Sequence, residues 1–195
     1  RPLQTPTFTE EPQMERYLIE HCSPTLASIK TASLFTCDYP CEAELEKNLY
    51  EWNMYFADKG VSLMVLRKKD GRALIYVCRM KRLQCDLERP GVARFLQSYG
   101  YSEMDVDAAL KTLRLRLIKS DEFPHEIGVF LGYPLGDVIG FIRNAGRNWK
   151  CFGCWKVYCN ECEAIKTFAR YKKCKDIYMR LWKQGRSVWQ LTVAA

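Results

Sequence analysis

Long apolar runs are missing from this 195-residue chain. The longest strongly apolar stretch, ALIYVC at 73–78, falls far short of the roughly 18 to 20 residues a membrane span needs, so neither a transmembrane helix nor a membrane partner is expected. Histidine is nearly absent, and any imidazole chemistry rests on His21 and His125 alone. Internal repeats and low-complexity segments are absent too, which excludes solenoids and long disordered linkers. Residues 1–12, RPLQTPTFTEEP, show neither the basic start and apolar stretch of a secretory leader nor a Met. They are expected to form a flexible N-terminal arm, with a single globular domain over 13–195.

What is present points to a folded protein. A hydrophobic share of 48% is ample for a real core in a chain of this length. Ten cysteines form a high count, and with no export leader in view reduced thiols in a cytoplasm are expected rather than a disulfide framework. The net charge of +7 favours anionic ligands, from small phosphorylated or carboxylated molecules to nucleic acid, without choosing among them.

The periodicities define an α+β fold. MERYLIEH (14–21) is helical in pattern, and Ser23-Pro24 has the form of an N-cap followed by proline at the first helical position, which predicts a second helix from Pro24 to about Phe35. Leu45, Leu49, Trp52 and Phe56 recur at helical spacing, with Gly60 as the stop. VSLMVLR (61–67) and ALIYVCR (73–79) flank Asp70-Gly71, a strong hairpin signal. Helices are further expected from Pro90 to near Gly100, from the Ser102/Asp105 start to about Ile118, over 124–131 and 135–143, and over 160–184 behind Asn160. WKVY (155–158) reads as a strand. The expected architecture is a small antiparallel or mixed sheet, the hairpin 61–79 plus the strand near 155–158, covered by six to eight helices.

EHCSPTLASIKTASLF, ALIYVCRMKRL, FPHEIGVFLGYPLGDVIGFI, GRNWKCFGCWKVY, FARYKKC and GRSVWQLTVA, taken together and in this order, resemble a bacterial domain-of-unknown-function family, number 3793. The resemblance spans nearly everything from about residue 14 onward. It implies a cytosolic, single-domain bacterial protein and carries no reaction with it.

Three sets of residues hold candidate chemistry. Cys22, just ahead of a helix expected at Pro24, would lie where the helix dipole and free N–H groups favour a thiolate; His21 is adjacent and Lys30 about two turns on. His125, opening a helix after Pro124, would stay neutral there, and Glu126 follows it. With Arg79, Lys81 and Arg82 as an anchor for an anionic small molecule, these suggest an enzyme or cofactor-handling protein with catalytic Cys22, His21, His125 and Lys30, and ligand-binding Arg79, Lys81, Arg82 and Glu126. The bland counterpart is a buried thiol at a helix corner with capping side chains around it.

The second set is CFGCWKVYCNEC, where Cys151, Cys154, Cys159 and Cys162 have the ligand count for Zn and a spacing akin to an iron–sulfur site. A strand at WKVY would hold the two pairs apart, so a non-catalytic metal-binding or interaction protein stands beside incidental thiols. The third is a nucleic-acid-binding module. It combines a helix-turn-helix-like unit at 124–143, with Gly128, Gly132 and Val138 in the small, turn and core positions, and a basic helix at 160–184. The would-be reading positions Pro134, Leu135, Gly136, Ile139 and Gly140 lack hydrogen-bonding side chains, which argues against sequence readout there. Trp149, Phe152, Trp155 and Tyr158 lie just upstream of the basic helix and suit RNA or single-stranded DNA. The alternative puts those aromatics in the core beside an Ile165, Phe168, Ile177 and Leu181 stripe.

Overall fold

Turn chemistry at Asp70-Gly71 is realised as the sequence implies. In the computed structural model, which describes residues 13–119 and 122–194, both residues have positive φ (50° and 72°) and join two antiparallel strands. The arm expected at 1–12 lies outside the described residues.

Along the chain the elements begin with α1 (Gln13–Leu26), β1 (Ala32–Asp38), α2 (Glu42–Phe56), β2 (Ser62–Lys69) and β3 (Arg72–Cys78). Then come α3 (Met80–Leu87), α4 (Val92–Gln97), α5 (Val106–Lys119), α6 (Ile127–Phe130) and α7 (Leu135–Arg143). The last are β4 (Cys151–Phe152), β5 (Lys156–Val157), α8 (Glu161–Lys183) and α9 (Val188–Leu191). The fold is α+β, with a three-stranded antiparallel sheet and a separate two-stranded hairpin. The chain divides into two compact units, one of residues 13–80 with 174–194, the other of residues 81–173.

In the first unit the sheet order is β1-β3-β2. Alternation along the strands turns Phe35, Cys37, Leu63, Ala73, Ile75 and Val77 into one core with Leu18, Ile19, Cys22 and Leu26 of α1, Leu45, Leu49, Trp52 and Phe56 of α2, and Val188 and Leu191 of α9. Each fully buried Leu or Ile here contributes about 1.5–3 kcal/mol relative to exposure. Asn53 closes the β2 side: its amide accepts from the Leu63 N–H at 2.8 Å and donates to the Leu63 carbonyl at 2.9 Å.

Two expectations need correction here. No helix runs from Pro24 to Phe35; α1 continues through Ser23 and Pro24 to Leu26, and 32–38 is β1. The Ser23 hydroxyl bonds back to the Ile19 carbonyl instead of capping a new helix. TASLFTC then pairs with β3 from Ala32↔Cys78 to Asp38↔Arg72, so a non-local ladder overrides the local proline signal. The third strand of the sheet is therefore β1. The strand expected at 155–158 shrinks to β5 and pairs only with β4, outside that sheet.

The second unit is helical apart from this small hairpin. Asp105 caps α5 through the Ala108 N–H at 2.9 Å. Buried Glu126 accepts from the Tyr101 hydroxyl and from the Arg116 guanidinium, which also reaches the Tyr99 carbonyl at 3.0 Å. That triad fastens α5 to the segment leading into α6. α6 meets α7 through Gly128, where an added Cβ would come within 2.8 Å of Val138, so the small and core positions of the helix-turn-helix-like unit pack against each other.

Candidate functional site

The β4–β5 hairpin stands on a buried carboxylate. Asp137, in the first turn of α7, is 2% exposed. Its Oδ1 accepts the backbone N–H groups of Tyr158 and Cys159, each at 2.8 Å, and its Oδ2 accepts the Trp155 indole N–H at 2.8 Å. Three donors converging on one carboxylate satisfy its charge without a cation and lock the hairpin to the helix. The helix presents almost no side chain at this contact. A Cβ on Gly140 would lie 2.4 Å from the Tyr158 ring, and one on Gly136 would lie 2.5 Å from the Cys159 sulfur. Only glycine lets the strand approach so closely.

This seating overturns one premise of the helix-turn-helix reading. Gly136 and Gly140, placed by sequence on the face that would meet DNA bases, are covered by the chain at 158–159. α7 is a platform for the hairpin, and α6 has a single turn.

Opposite roles fall to the hairpin's aromatics. Trp155 packs inward, stacked on Tyr133 with ring centroids 4.9 Å apart and edge-on to Phe168 at 4.6 Å, while the Tyr133 hydroxyl donates to the Cys154 carbonyl. Trp149 and Phe152 turn outward. They are 41% and 67% exposed and meet edge-to-face at 4.9 Å with 73° between their planes. Ile165, assigned by sequence to a core stripe of α8, is 52% exposed.

Positive charge gathers in the same stretch. Between residues 143 and 173 the chain has eight Lys and Arg residues against Glu161 and Glu163, a balance of +6 within a net charge of +7. Lys150 donates to the Cys159 carbonyl at 2.9 Å, and Lys156 to the Gly146 carbonyl at 2.7 Å. One bond each leaves two further N–H groups on each ammonium for an anion. Arg143, Arg147, Arg170, Lys172 and Lys173 are exposed, and Lys166 pairs with Glu163 at 2.8 Å.

The cysteines of this region do not assemble as ligands. Among the described residues no three His, Cys, Asp or Glu side chains are placed to hold a metal ion, and the candidate set Cys151, Cys154, Cys159 and Cys162 is not grouped as one. The Cys159 sulfur lies against Gly136, and Cys154, Cys159 and Cys162 are all exposed. Desolvation raises the Cys151 thiol above its ordinary range, with Glu161 and Asp137 adding to the shift.

The residues assigned to a thiol pocket are distributed as follows. Cys22 lies inside α1 rather than ahead of a helix, is fully buried, and has its thiol pushed up to about 12 by desolvation, against smaller opposing effects of Lys30 and the Ser33 hydroxyl. His21, one position earlier and so about 100° around the helix, is exposed and stacks on Phe35 at 5.9 Å. Desolvation lowers its pKa, Lys175 lowers it further, and Glu20 opposes both. Arg79 is 3% exposed. It donates to the carbonyls of Thr25, Leu26, Lys59 and Val193 at 2.7 to 3.1 Å, which engages four of its five N–H groups in holding the end of α1 to the chain around it. Lys81 and Arg82 are exposed in α3. In the second unit His125 is exposed, edge-on to Phe141 at 4.8 Å, and Glu126 is held by Arg116 and Tyr101.

Sequence reasoning missed Asp137. An acidic residue inside the otherwise apolar LGDVIGFI was the available signal, since a buried carboxylate requires donors.

Fold and site together define an α+β protein whose helical second unit carries a basic, aromatic hairpin. The chain belongs to the family described as protein of unknown function (DUF3793), which matches residues 18–192. Among curated proteins and among solved structures nothing matches it. Among the described residues no helix is long and apolar enough to cross a membrane.

Proposed function

We propose that the chain is a nucleic-acid-binding protein and that its contact surface is the β4–β5 hairpin with the basic residues around it. One observation carries this reading: the two outward aromatics, Trp149 and Phe152, sit within the stretch that holds +6 of the chain's charge. Lysines and arginines neutralise phosphates and release counterions, and exposed aromatic faces add stacking to that attraction. Base-edge readout by α7 is not part of the proposal, because its glycine face is occupied by the hairpin. Binding of this kind is sequence-tolerant.

A thiol enzyme has less support. A fully buried Cys22 with its pKa near 12 is protonated at neutral pH, and protonated thiols are poor nucleophiles.

Anisotropy of a fluorescently labelled oligonucleotide, titrated with protein between about 50 and 200 mM salt, tests the proposal. The expected result is micromolar binding that weakens steeply with salt, with a log–log slope equivalent to several phosphate contacts. A saturable signal with no salt dependence, or no binding at about 50 mM salt, contradicts it.

A further inference from the structure

We infer that the hairpin selects single-stranded over double-stranded nucleic acid by stacking an unpaired base on Phe152; this rests on the nucleic-acid reading above and names its ligand class. In a duplex the faces of the bases are buried against one another, and a protein meets only groove edges and phosphates. An aromatic ring held out in solvent therefore adds affinity most readily for a base that is already unstacked, because a duplex must first be unstacked at a cost of a few kcal/mol per step.

Phe152 has the required form. It is the most exposed aromatic of its unit among the described residues, at 67%, and it occupies the end of a two-residue strand just before a three-residue loop. The edge-to-face contact with Trp149 at 4.9 Å fixes the pair's geometry without sandwiching either ring. Gly153, next in the chain, lies so close to Phe168 that an added Cβ would be 2.4 Å from that ring, so the loop is pressed onto α8 while Phe152 points away from the core. Placement is thus set by the Trp149 contact on the ring and by the seating of the next residue, Gly153, against Phe168.

Charge complements the aromatic face. Lys150 lies between Trp149 and Phe152 in sequence, its ammonium held at 2.9 Å from the Cys159 carbonyl, and exposed Arg147 lies two residues before Trp149. A short strand whose phosphates meet these cations would bring a base within reach of the ring. The exposed rings add what charge alone does not supply, a flat apolar face on which a base can stack.

The test uses the full chain and a labelled strand of about 12 nucleotides, alone and annealed to its complement, at one fixed salt concentration. Phe152→Ala is expected to weaken single-strand binding about tenfold, within the range for loss of one base–aromatic stack, and to change duplex binding less than about twofold. Phe152→Tyr, which keeps the ring, is expected to retain single-strand affinity. Because Phe152 is outside the core, an unchanged far-ultraviolet circular dichroism spectrum should accompany both variants. Equal losses on strand and duplex, or no loss on the strand, overturn the inference while leaving the nucleic-acid reading intact. Failure of the unsubstituted protein to bind either form overturns both, and an acidic protein partner would then be the remaining fit for the surface.

Discussion

Replacing Asp137 by Asn separates the carboxylate's role from its shape. The three groups facing it are all donors: the Tyr158 and Cys159 N–H groups on Oδ1 and the Trp155 indole N–H on Oδ2, each at 2.8 Å. An amide has one acceptor oxygen and one NH2. With the oxygen toward the backbone pair, the NH2 meets the indole N–H donor to donor; the flipped amide leaves two backbone donors unmatched. The first arrangement is the less costly. It loses the charge assistance on two bonds, which is about half their strength, and leaves one indole donor unsatisfied at about 1–3 kcal/mol. The sum is about 2–4 kcal/mol of hairpin anchoring. Amide hydrogen exchange reads this directly: protection at residues 158 and 159 should fall about 30- to 1000-fold, with amides in the first unit's β3 unaffected. Protection unchanged at 158 and 159 would refute the view that Asp137 fastens the hairpin.

Two further outcomes follow from other parts of the molecule. Arg79→Met removes the guanidinium from the carbonyls of Thr25, Leu26, Lys59 and Val193, of which Thr25 and Leu26 still accept from the Ser28 and Val193 N–H groups, and should lower stability by about 3 kcal/mol, seen as a drop in the urea midpoint; Arg79→Lys should recover little of it, because an ammonium cannot reproduce a planar fork. An aromatic disulfide reagent at about pH 8 should label exposed Cys41, Cys85, Cys154, Cys159 and Cys162 first and leave Cys22 and Cys78 untouched until the chain unfolds. With both buried thiols at about 12, only about one in ten thousand is ionised at that pH. Rapid labelling of Cys22 in the folded protein would restore the thiol-pocket reading.

Local chemistry was legible in the sequence and non-local chemistry was not. Asp70-Gly71, the α2 stripe and the ends of α8 at Asn160 and Gly185 announce themselves within a few residues, and each is found where expected. β1 depends on a partner about forty residues away, so Ser23-Pro24 misleads and TASLF, up to Phe35, reads as helix. The same division runs through the site. Trp149 and Phe152 could be named from sequence as aromatic neighbours of a basic helix, but their periodicity does not separate surface from core; the hairpin that carries them is fixed by Asp137 on the backbone N–H groups of 158 and 159, with Gly136 and Gly140 leaving room for the Cys159 and Tyr158 side chains. Cys22 enters a pocket only through the helix start expected at Pro24, and Arg79 only through its cationic neighbours Lys81 and Arg82. Burial and four carbonyl bonds give them structural work.

The most direct measurement of the central claim compares two charge reversals of equal size. Arg147→Glu with Lys150→Glu changes the hairpin; Lys47→Glu with Lys69→Glu changes exposed positions of α2 and β2 in the first unit by the same amount. Oligonucleotide affinity at about 50 mM salt should fall at least about tenfold for the hairpin pair, with a shallower salt slope, and by less than about twofold for the other. Equal effects from both pairs would mean that net charge alone attracts the strand, and the hairpin would lose its assignment.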